Sequence, residues 1–530
     1  MGIYLNPDNS SFYNAVNHSN FYVDKSMLLA YTNSVLFGEQ KNICVSRPRR
    51  FGKSMAANML SAYYSRGCDS KELFQKLKIA QHPDFEKHLN KYHVIHLNIP
   101  TFLEDAEDAD DLIRFMKEDV LDELLRSFPD VQMPKRITLT KVLATIFNEV
   151  KVPFVFIIDE WDCIFREYKH DTAAQEAYLT FLRNFLKNQP YVAMVYMTGN
   201  LPIKKYGDHS ALNMFDEYCM TNQRALAEFT GFTENEVKEL CERYQMDFEM
   251  TKHWYDGYNL KGLSIYNPRS VVMSITGHDF DSYWTKTETY ESLKKYIQMD
   301  RFGLREIVTK LIAGEHYPVN SGKFQNDMTT FNSADDVLTL LIHLGYLTYD
   351  FDTKTTWIPN AEVQQEFINS IEDGGWEHIM HSIRLSDELL EATLQGDTER
   401  VAEIIEQVHD ENTSILQYNN ENSLSCILSL AYYSAKKSYT IHRELAGGKG
   451  FADLVFIPRK ECSDPAMIVE LKWNQSAEAA IDQIRRKEYV KCLKDYSGEI
   501  LLVGINYDRD APDGTKKHRC LIEKLRKENA

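Results

Sequence analysis

A chain of 530 residues is too long for one hydrophobic core, so two to four domains are expected. With 43% hydrophobic and 26% charged residues, 15 Pro and 23 Gly, it is neither collagen-like, nor low-complexity, nor mostly disordered. The net charge of −18 excludes a histone-like coat for nucleic acid, but it is uneven: from residue 401 onward 19 Lys and Arg face 20 Asp and Glu, against 41 and 58 in the first 400 residues.

In chain order, residues 42–46 read as a short buried strand that runs into a loop and then into the helical stretch Met55–Tyr64. Residues 93–99 are strand-like, and 110–127 and 137–150 have helical spacing. Residues 153–158 are apolar on both faces, as a central parallel strand should be. A helix over 174–187 and an apolar strand Tyr191–Met197 complete an α/β pattern with a parallel sheet. From about 222 the strands are expected to stop. Thr233-Glu-Asn-Glu236 is a capping box that opens a helix to about Tyr244, and helical segments continue to about 345. A small hairpin (345–349 and 355–358) and a helical stretch over 380–408 follow. After Asn422 the pattern becomes a compact α+β unit: helix 423–435, strands 438–444, 451–457 and 466–473, helix 477–494, strand 499–505. The expected domains are 1–221, 222–408 and 409–530.

Nine cysteines are scattered without a CxxC pair, which argues against a zinc module or a disulfide framework and for a reducing compartment. No basic-then-apolar leader precedes the first element, and no apolar run approaches the roughly 18 residues that a membrane span needs. A cytoplasmic protein without a membrane partner is the expectation.

Arg47-Pro-Arg-Arg-Phe-Gly-Lys-Ser54 lies between a strand and a helix, and Gly52-Lys53-Ser54 is the back half of a Walker A loop. In such a loop backbone N–H groups cradle phosphate oxygens, the Lys reaches the β and γ phosphates, and the Ser hydroxyl binds Mg²⁺. The first glycine of the strict pattern falls on Arg47. Alone, the tripeptide reads equally as a basic loop capping a helix. The apolar strand ending in Asp159-Glu160 supplies the second half of the site, with Asp159 for the metal shell and Glu160 to polarise the attacking water. A strand over 93–99 falls between the two in chain order, as in the additional-strand class of P-loop ATPases. The next strand ends in Thr198-Gly-Asn200, where either a sensor of the γ-phosphate or an ordinary turn fits. Arg49 and Arg50 either add charge to the phosphate cradle or face solvent or an acidic neighbour.

In the last domain Asp453 precedes Glu470-Leu-Lys472 by one strand, and alternation puts Glu470 and Lys472 on one face. Asp453 and Glu470 on adjacent strands are placed to share Mg²⁺, with Mn²⁺ as a substitute, and Lys472 to orient or deprotonate water. An exposed strand face is the bland alternative. Glu421 and Glu444 compete for a further place in the metal shell, or are surface residues. Gln483, Lys487 and Tyr489 on the following helix either touch phosphate or line a solvated face.

These residues carry a resemblance to the bacterial proteins that join an AAA-ATPase-like domain to a C-terminal PD-(D/E)XK nuclease-superfamily domain. It runs nearly end to end: Phe21-Tyr-Val-Asp-Lys25, the loop 47–54, Ile158-Asp-Glu160, Met197-Thr-Gly199, Gly231-Phe-Thr233, Trp254-Tyr-Asp-Gly-Tyr258, Tyr266-Asn-Pro268, Gly345-Tyr-Leu-Thr348, Gly450-Phe-Ala-Asp453, Glu470-Leu-Lys472 and Gln483-Ile. Phe451 departs from relatives that carry Arg just ahead of the Asp, and Trp161 from relatives that carry Tyr. Arg47 departs from the general P-loop but not from this family.

The expectation is therefore a P-loop ATPase sheet of the additional-strand class, a helical middle region and a restriction-endonuclease-like α+β domain. ATP and Mg²⁺ are the expected cofactors. Nucleic acid, DNA above all, is the expected partner, and homo-oligomer formation is compatible with the sequence. The expected function is ATP hydrolysis with metal-dependent cleavage of nucleic acid, in defence or mobile-element processing. The alternative is an ATP-dependent switch whose nuclease-like domain only binds nucleic acid or a partner.

Overall fold

The structure, a computed structural model, describes residues 2–525 apart from 105, 204, 207–208, 211, 223–225, 285–288, 299–300, 325–329, 413–420, 461, 495 and 513–516, with 205–206, 209–210, 289–292, 298 and 421–423 described by backbone alone. The chain divides into two compact units, one of residues 1–289 with 318–365 and one of residues 290–317 with 366–530.

In the first unit five parallel strands form one sheet in the order His93–Asn98, Phe154–Asp159, Val192–Gly199, Asn42–Ser46, Asp216–Tyr218. The strand that physically separates Asn42–Ser46 from Phe154–Asp159 is thus Val192–Gly199, while His93–Asn98 lies at the sheet's edge. Alternation sends Ile43, Val45, Val155, Ile157 and Tyr196 to one face, against Ala56, Leu60 and Tyr64 of the helix Lys53–Tyr64. Cys44, Phe156, Ile158, Val195 and Met197 go to the other, against Leu112, Met116, Val142 and Leu182 of the helices Ala109–Ser127, Leu139–Val150 and Thr172–Leu186. Both faces are covered, which is why these strands read as continuous apolar runs.

The strands do not stop at 222. Phe232–Thr233, Leu263–Tyr266 and Tyr258–Leu260 form a small antiparallel sheet beside the expected helix Glu234–Tyr244, whose capping box is formed by Thr233 and Glu236. Strands of two to four residues are too short to show period-two alternation, and Asp216–Tyr218 escaped notice for the same reason. The hairpin is present as Thr348–Asp350 paired with Thr355–Trp357. Helix Ala361–Asp373 precedes the expected late helices.

In the second unit the helices Glu377–Arg384, Ser386–Gln395, Thr398–Asn412 and Glu421–Ala431 precede a mixed sheet. Its order follows the chain: Tyr439–Gly447, Gly450–Pro458, Ala466–Trp473, Ile500–Tyr507, His518–Leu525. Only Ala466–Trp473 and Ile500–Tyr507 run parallel, joined through the helix Ala477–Arg486. Ala452, Val455, Ile468 and Leu502 pack on Ile481 and Ile484 of that helix. The helix is shorter than expected because Glu488 takes a left-handed backbone (φ 59°) and the chain continues as a 3-10 turn, Tyr489–Leu493. The last strand, His518–Leu525, lies beyond the elements expected from the sequence, because its run of mixed charged and apolar residues lacks period-two alternation.

Candidate active sites

The first site forms where the strand Asn42–Ser46 ends. Gly52 adopts φ 81° and Arg50 φ 72°, so the loop turns through two left-handed residues before the helix begins at Lys53. Arg47, where the strict pattern has glycine, does not enter that region of the backbone. Its guanidinium is fully buried and donates to Thr230 Oγ1 (3.1 Å), Ser46 O (3.0 Å) and Tyr218 O (2.9 Å). Arg47 therefore braces the loop from behind and leaves the cradle to backbone groups and Lys53.

Lys53 is buried and donates to Arg47 O (3.0 Å), Pro48 O (2.9 Å) and Asn200 Oδ1 (2.9 Å). Burial lowers its pKa to about 8, against the pull of Asp162, Asp159 and Glu160. Asp159 is buried, accepts the Thr198 hydroxyl, and accepts the Glu160 N–H at 3.1 Å. Glu160 has φ 52°, which turns its side chain off the strand line. Its carboxylate is held by Arg166 at 2.6 Å, and Arg166 also approaches Asp162 at 3.6 Å. Asp162, fully buried, accepts the N–H groups of Asn200 (3.1 Å) and Leu201 (3.0 Å) and so fixes the turn that presents Asn200. Burial raises its pKa.

A cavity of about 700 Å³ opens over this constellation. Arg49, Arg50, Gly52, Lys53, Ser54, Glu160 and Asn200 line one part, and Phe12, Tyr22, Val23, Met59, Phe229 and Phe232 line an apolar part. Asp159 and Thr198 stand behind that wall, bonded to each other. A cationic end with an aromatic end, at this size, suits a nucleotide. Sequence reasoning gave no role to Arg269 and Lys25, which also line the cavity. Lys25 donates to Glu236 of the capping box (2.5 Å) and to Glu228 O (2.7 Å).

The aromatic and glycine motifs quoted above converge behind the loop. Phe51 is fully buried and meets the Tyr258 ring edge-on at 5.1 Å, its carbonyl accepts the Gly231 N–H (2.9 Å), and Tyr258 donates to Gly345 O (2.8 Å). A Cβ on Gly345 would lie 2.8 Å from the Pro48 ring.

The second site lies on the sheet of the second unit. The register that pairs Leu454 with Val469 sets Asp453 opposite Glu470. Asp453 accepts the Leu471 N–H at 2.7 Å. Glu470 is 1% exposed, and its Oε1 accepts from Lys472 Nζ (3.2 Å) and from Gln483. Its Oε2 is buried with no hydrogen-bond partner among the described residues. Burial and, second, the Asp453 charge raise its pKa to about 7. Lys472 Nζ also donates to Leu471 O (2.8 Å), and Gln483 reaches the Tyr489 hydroxyl at 3.3 Å.

Glu444 is exposed on the neighbouring strand, bracketed by the pairs Arg443–Leu454 and Leu445–Ala452 and so level with Asp453. The side chain of Glu421 lies outside the described residues. Among the described residues no three or more His, Cys, Asp or Glu converge, so Asp453 and Glu470 are the two carboxylates brought together. Lys487 is half-buried at the end of the helix.

Residues 9–207 match the family model described as "Predicted AAA-ATPase", and residues 398–512 match the PD-(D/E)XK nuclease superfamily. A curated relative from Azotobacter chroococcum mcd 1, described as an uncharacterized protein in the vnfD 5'region, is 23% identical over 281 residues. That alignment covers 51% of each protein, so the chain spans about half the length of the curated relative it matches. A solved DNA replication initiation factor is 13% identical, with 56% of this chain and 71% of that one covered at a TM-score of 0.25. The Aeropyrum pernix ORC2 protein is 10% identical, with 68% and 98% covered at a TM-score of 0.30. Superpositions this loose define no shared fold. The sheet order and the two family matches do: the chain joins a domain of the predicted AAA-ATPase family to a domain of the PD-(D/E)XK nuclease superfamily.

Proposed function

We propose that this protein binds and hydrolyses ATP in its first unit and cleaves nucleic-acid phosphodiesters with a divalent cation in its second. One observation supports the second half most strongly. Glu470 is an almost fully buried carboxylate with one oxygen lacking a donor among the described residues, opposite a second carboxylate and beside a lysine. Burying such a group costs several kcal/mol unless a cation compensates it, and a strand end with no function would not retain it. Asp453 and the free Oε2 of Glu470 fit Mg²⁺ or Mn²⁺, hard cations that favour carboxylate oxygen. When bound, the cation supplies charge for the phosphorane-like transition state and lowers the pKa of water. Lys472 holds the remaining Glu470 oxygen and keeps an ammonium where negative charge develops. Gln483 fixes the Glu470 rotamer from the helix.

In the first unit the backbone from Arg49 to Ser54 and Lys53 would bind the phosphates, and Ser54 with Asp159 would hold Mg²⁺. Lys53 must exchange its bonds to Arg47 O and Pro48 O for phosphate oxygens. Glu160 must leave Arg166 to accept a proton from the attacking water, while Asn200 reads the γ-phosphate.

The test is purified protein assayed for ATP turnover and for cleavage of labelled nucleic acid, with and without Mg²⁺ or Mn²⁺. Metal-dependent cleavage lost in Asp453→Asn, and ATP turnover lost in Glu160→Gln with binding kept, is the expected result. Metal-dependent binding of nucleic acid with no cleavage under any condition would favour the switch reading instead.

A further inference from the structure

Beside the Asp453–Glu470 pair the surface carries an aromatic ring that the fold leaves uncovered. Phe451 is 64% exposed, two residues before Asp453 on the same strand, and alternates with the buried Ala452. Its cross-strand partner is Ala446, also exposed, so the small methyl leaves the ring open to an incoming group. Nothing about the strand requires a phenyl ring in water, and burying one is worth about 2–3 kcal/mol.

The hairpin that carries Phe451 is held firmly. Its tip, Gly447-Gly-Lys-Gly450, lies on the turn that follows the helix Ala477–Arg486. Lys449 N–H donates to Lys487 O at 2.7 Å. A Cβ on Gly448 would stand 2.1 Å from Lys487 O, and one on Gly450 would stand 3.1 Å from the Tyr489 hydroxyl. Tyr489 in turn meets Gln483, which donates to Glu470. The hairpin that carries the ring is thus tied through Tyr489 and Gln483 to the buried carboxylate. Two residues along a strand span about 6.6 Å, within one nucleotide of the cut phosphate.

The rim is basic. Lys449, Arg486 and Lys491 are exposed and Lys487 is half-buried. Arg485 is taken up by Glu523 on the opposite edge strand and Lys491 by Glu488 (2.7 Å), so Lys449, Arg486 and Lys487 carry the rim's charge beside the exposed Glu444, in a chain whose net charge is −18. Phosphate contacts alone would serve a duplex, whose bases are stacked on one another. A ring facing solvent beside cations suits stacking on bases that are unpaired.

Resting on the nuclease reading above, we infer that the second unit takes single-stranded nucleic acid, with a base next to the scissile phosphate stacked on Phe451. The experiment is fluorescence anisotropy of the full chain with labelled dT20, rU20 and a 20-base-pair duplex, in Ca²⁺ so that cleavage does not consume the probe. Phe451→Ala should weaken single-strand binding about 10-fold, the scale of losing one aromatic–base stack, and leave duplex binding unchanged. Phe451→Trp should restore it. A dT20 probe with its central bases removed should bind wild type about 10-fold more weakly and Phe451→Ala no differently from dT20. Whichever of dT20 and rU20 shows this dependence names the sugar. Equal single-strand affinity for wild type and Phe451→Ala, or a preference for duplex, would overturn the inference while metal-dependent cleavage of that duplex kept the nuclease reading. Absence of binding to all three probes would overturn both.

Discussion

At the scale of single residues the first site is a set of exchanges. Lys53 is satisfied by three oxygens of its own loop and turn, and on the proposed reading ATP would displace two of them. Lys53→Ala removes the loop's ammonium and is expected to weaken ATP binding at least ~100-fold, about 2.7 kcal/mol, measured by calorimetry or a labelled-nucleotide filter assay. Glu160→Gln should keep binding and lose turnover. Gly199 shows a different constraint. A Cβ there would lie 2.6 Å from Trp161 Nε1 and 2.8 Å from Asp162 Oδ1. Gly199→Ala is therefore expected to cost about 1–3 kcal/mol of stability, through forced displacement of Trp161 or Asp162, and to lower the melting temperature of the first unit. Gly52-Lys-Ser54, Asp159-Glu160 and Glu470-x-Lys472 were legible in the sequence because each lies within or just after an apolar strand and their spacing is local. Arg166, Asp162 and Arg269 were not, because their meaning comes from neighbours brought together by the fold. Arg47 was legible as a departure, but its role as a brace needed Thr230 and Tyr218, more than 170 residues away.

At the scale of elements, the phosphate loop is buttressed by segments that sequence alone marked only as aromatic. Tyr258→Phe removes the hydroxyl that holds Gly345 O and leaves that carbonyl without its donor. About 1 kcal/mol of stability should be lost, with ATP affinity falling in parallel, as a melt with and without nucleotide would show. The second unit has an acid-sensitive seam. His409 on the helix Thr398–Asn412 bonds His518 on the edge strand at 3.0 Å, both buried. Burial lowers the His409 pKa to about 4, and burial with the His409 charge lowers that of His518 to about 3. Folded-state values below the unfolded 6.5 mean that the unfolded chain binds protons first, so stability is full above about pH 6.5 and falls as pH drops toward 4. At pH 5 the loss is about 2 kcal/mol per histidine, and a His409→Phe, His518→Leu variant should show a flatter melting profile between pH 7 and 5. This strand was not legible in the sequence because Cys520, Leu521, Ile522 and Leu525 are interleaved with Arg519, Glu523 and Lys524 without period-two alternation. The long parallel strands were visible because burial on both faces leaves apolar runs, whereas the two- to four-residue strands of the small sheet owe their existence to pairing.

At the scale of the molecule, the chain passes between its two compact units three times, at about residues 289, 317 and 365. If ATP changes the first unit, a covalent path of that kind would give the change several routes to the second. The first 400 residues are acidic overall, with 41 Lys and Arg against 58 Asp and Glu, which favours a gate over a motor. A gate needs only that ATP binds one arrangement more tightly, and a ~10-fold preference is about 1.4 kcal/mol. Cleavage should then respond to a non-hydrolysable ATP analogue as it does to ATP, with cut positions on a long end-labelled strand that do not advance with time. Cut sites that migrate only while ATP is hydrolysed would replace the gate with a motor.

The central claim, a metal-dependent nuclease centred on the buried Glu470, is tested most directly by one cleavage time course in Mg²⁺. Wild type and Glu470→Gln are compared on the same end-labelled single strand, each preparation first shown to be folded by its melting curve. The account predicts metal-dependent cleavage by wild type and a rate at least ~100-fold lower for Glu470→Gln, the scale of losing one key catalytic group. Equal, metal-dependent cleavage by both proteins would contradict it.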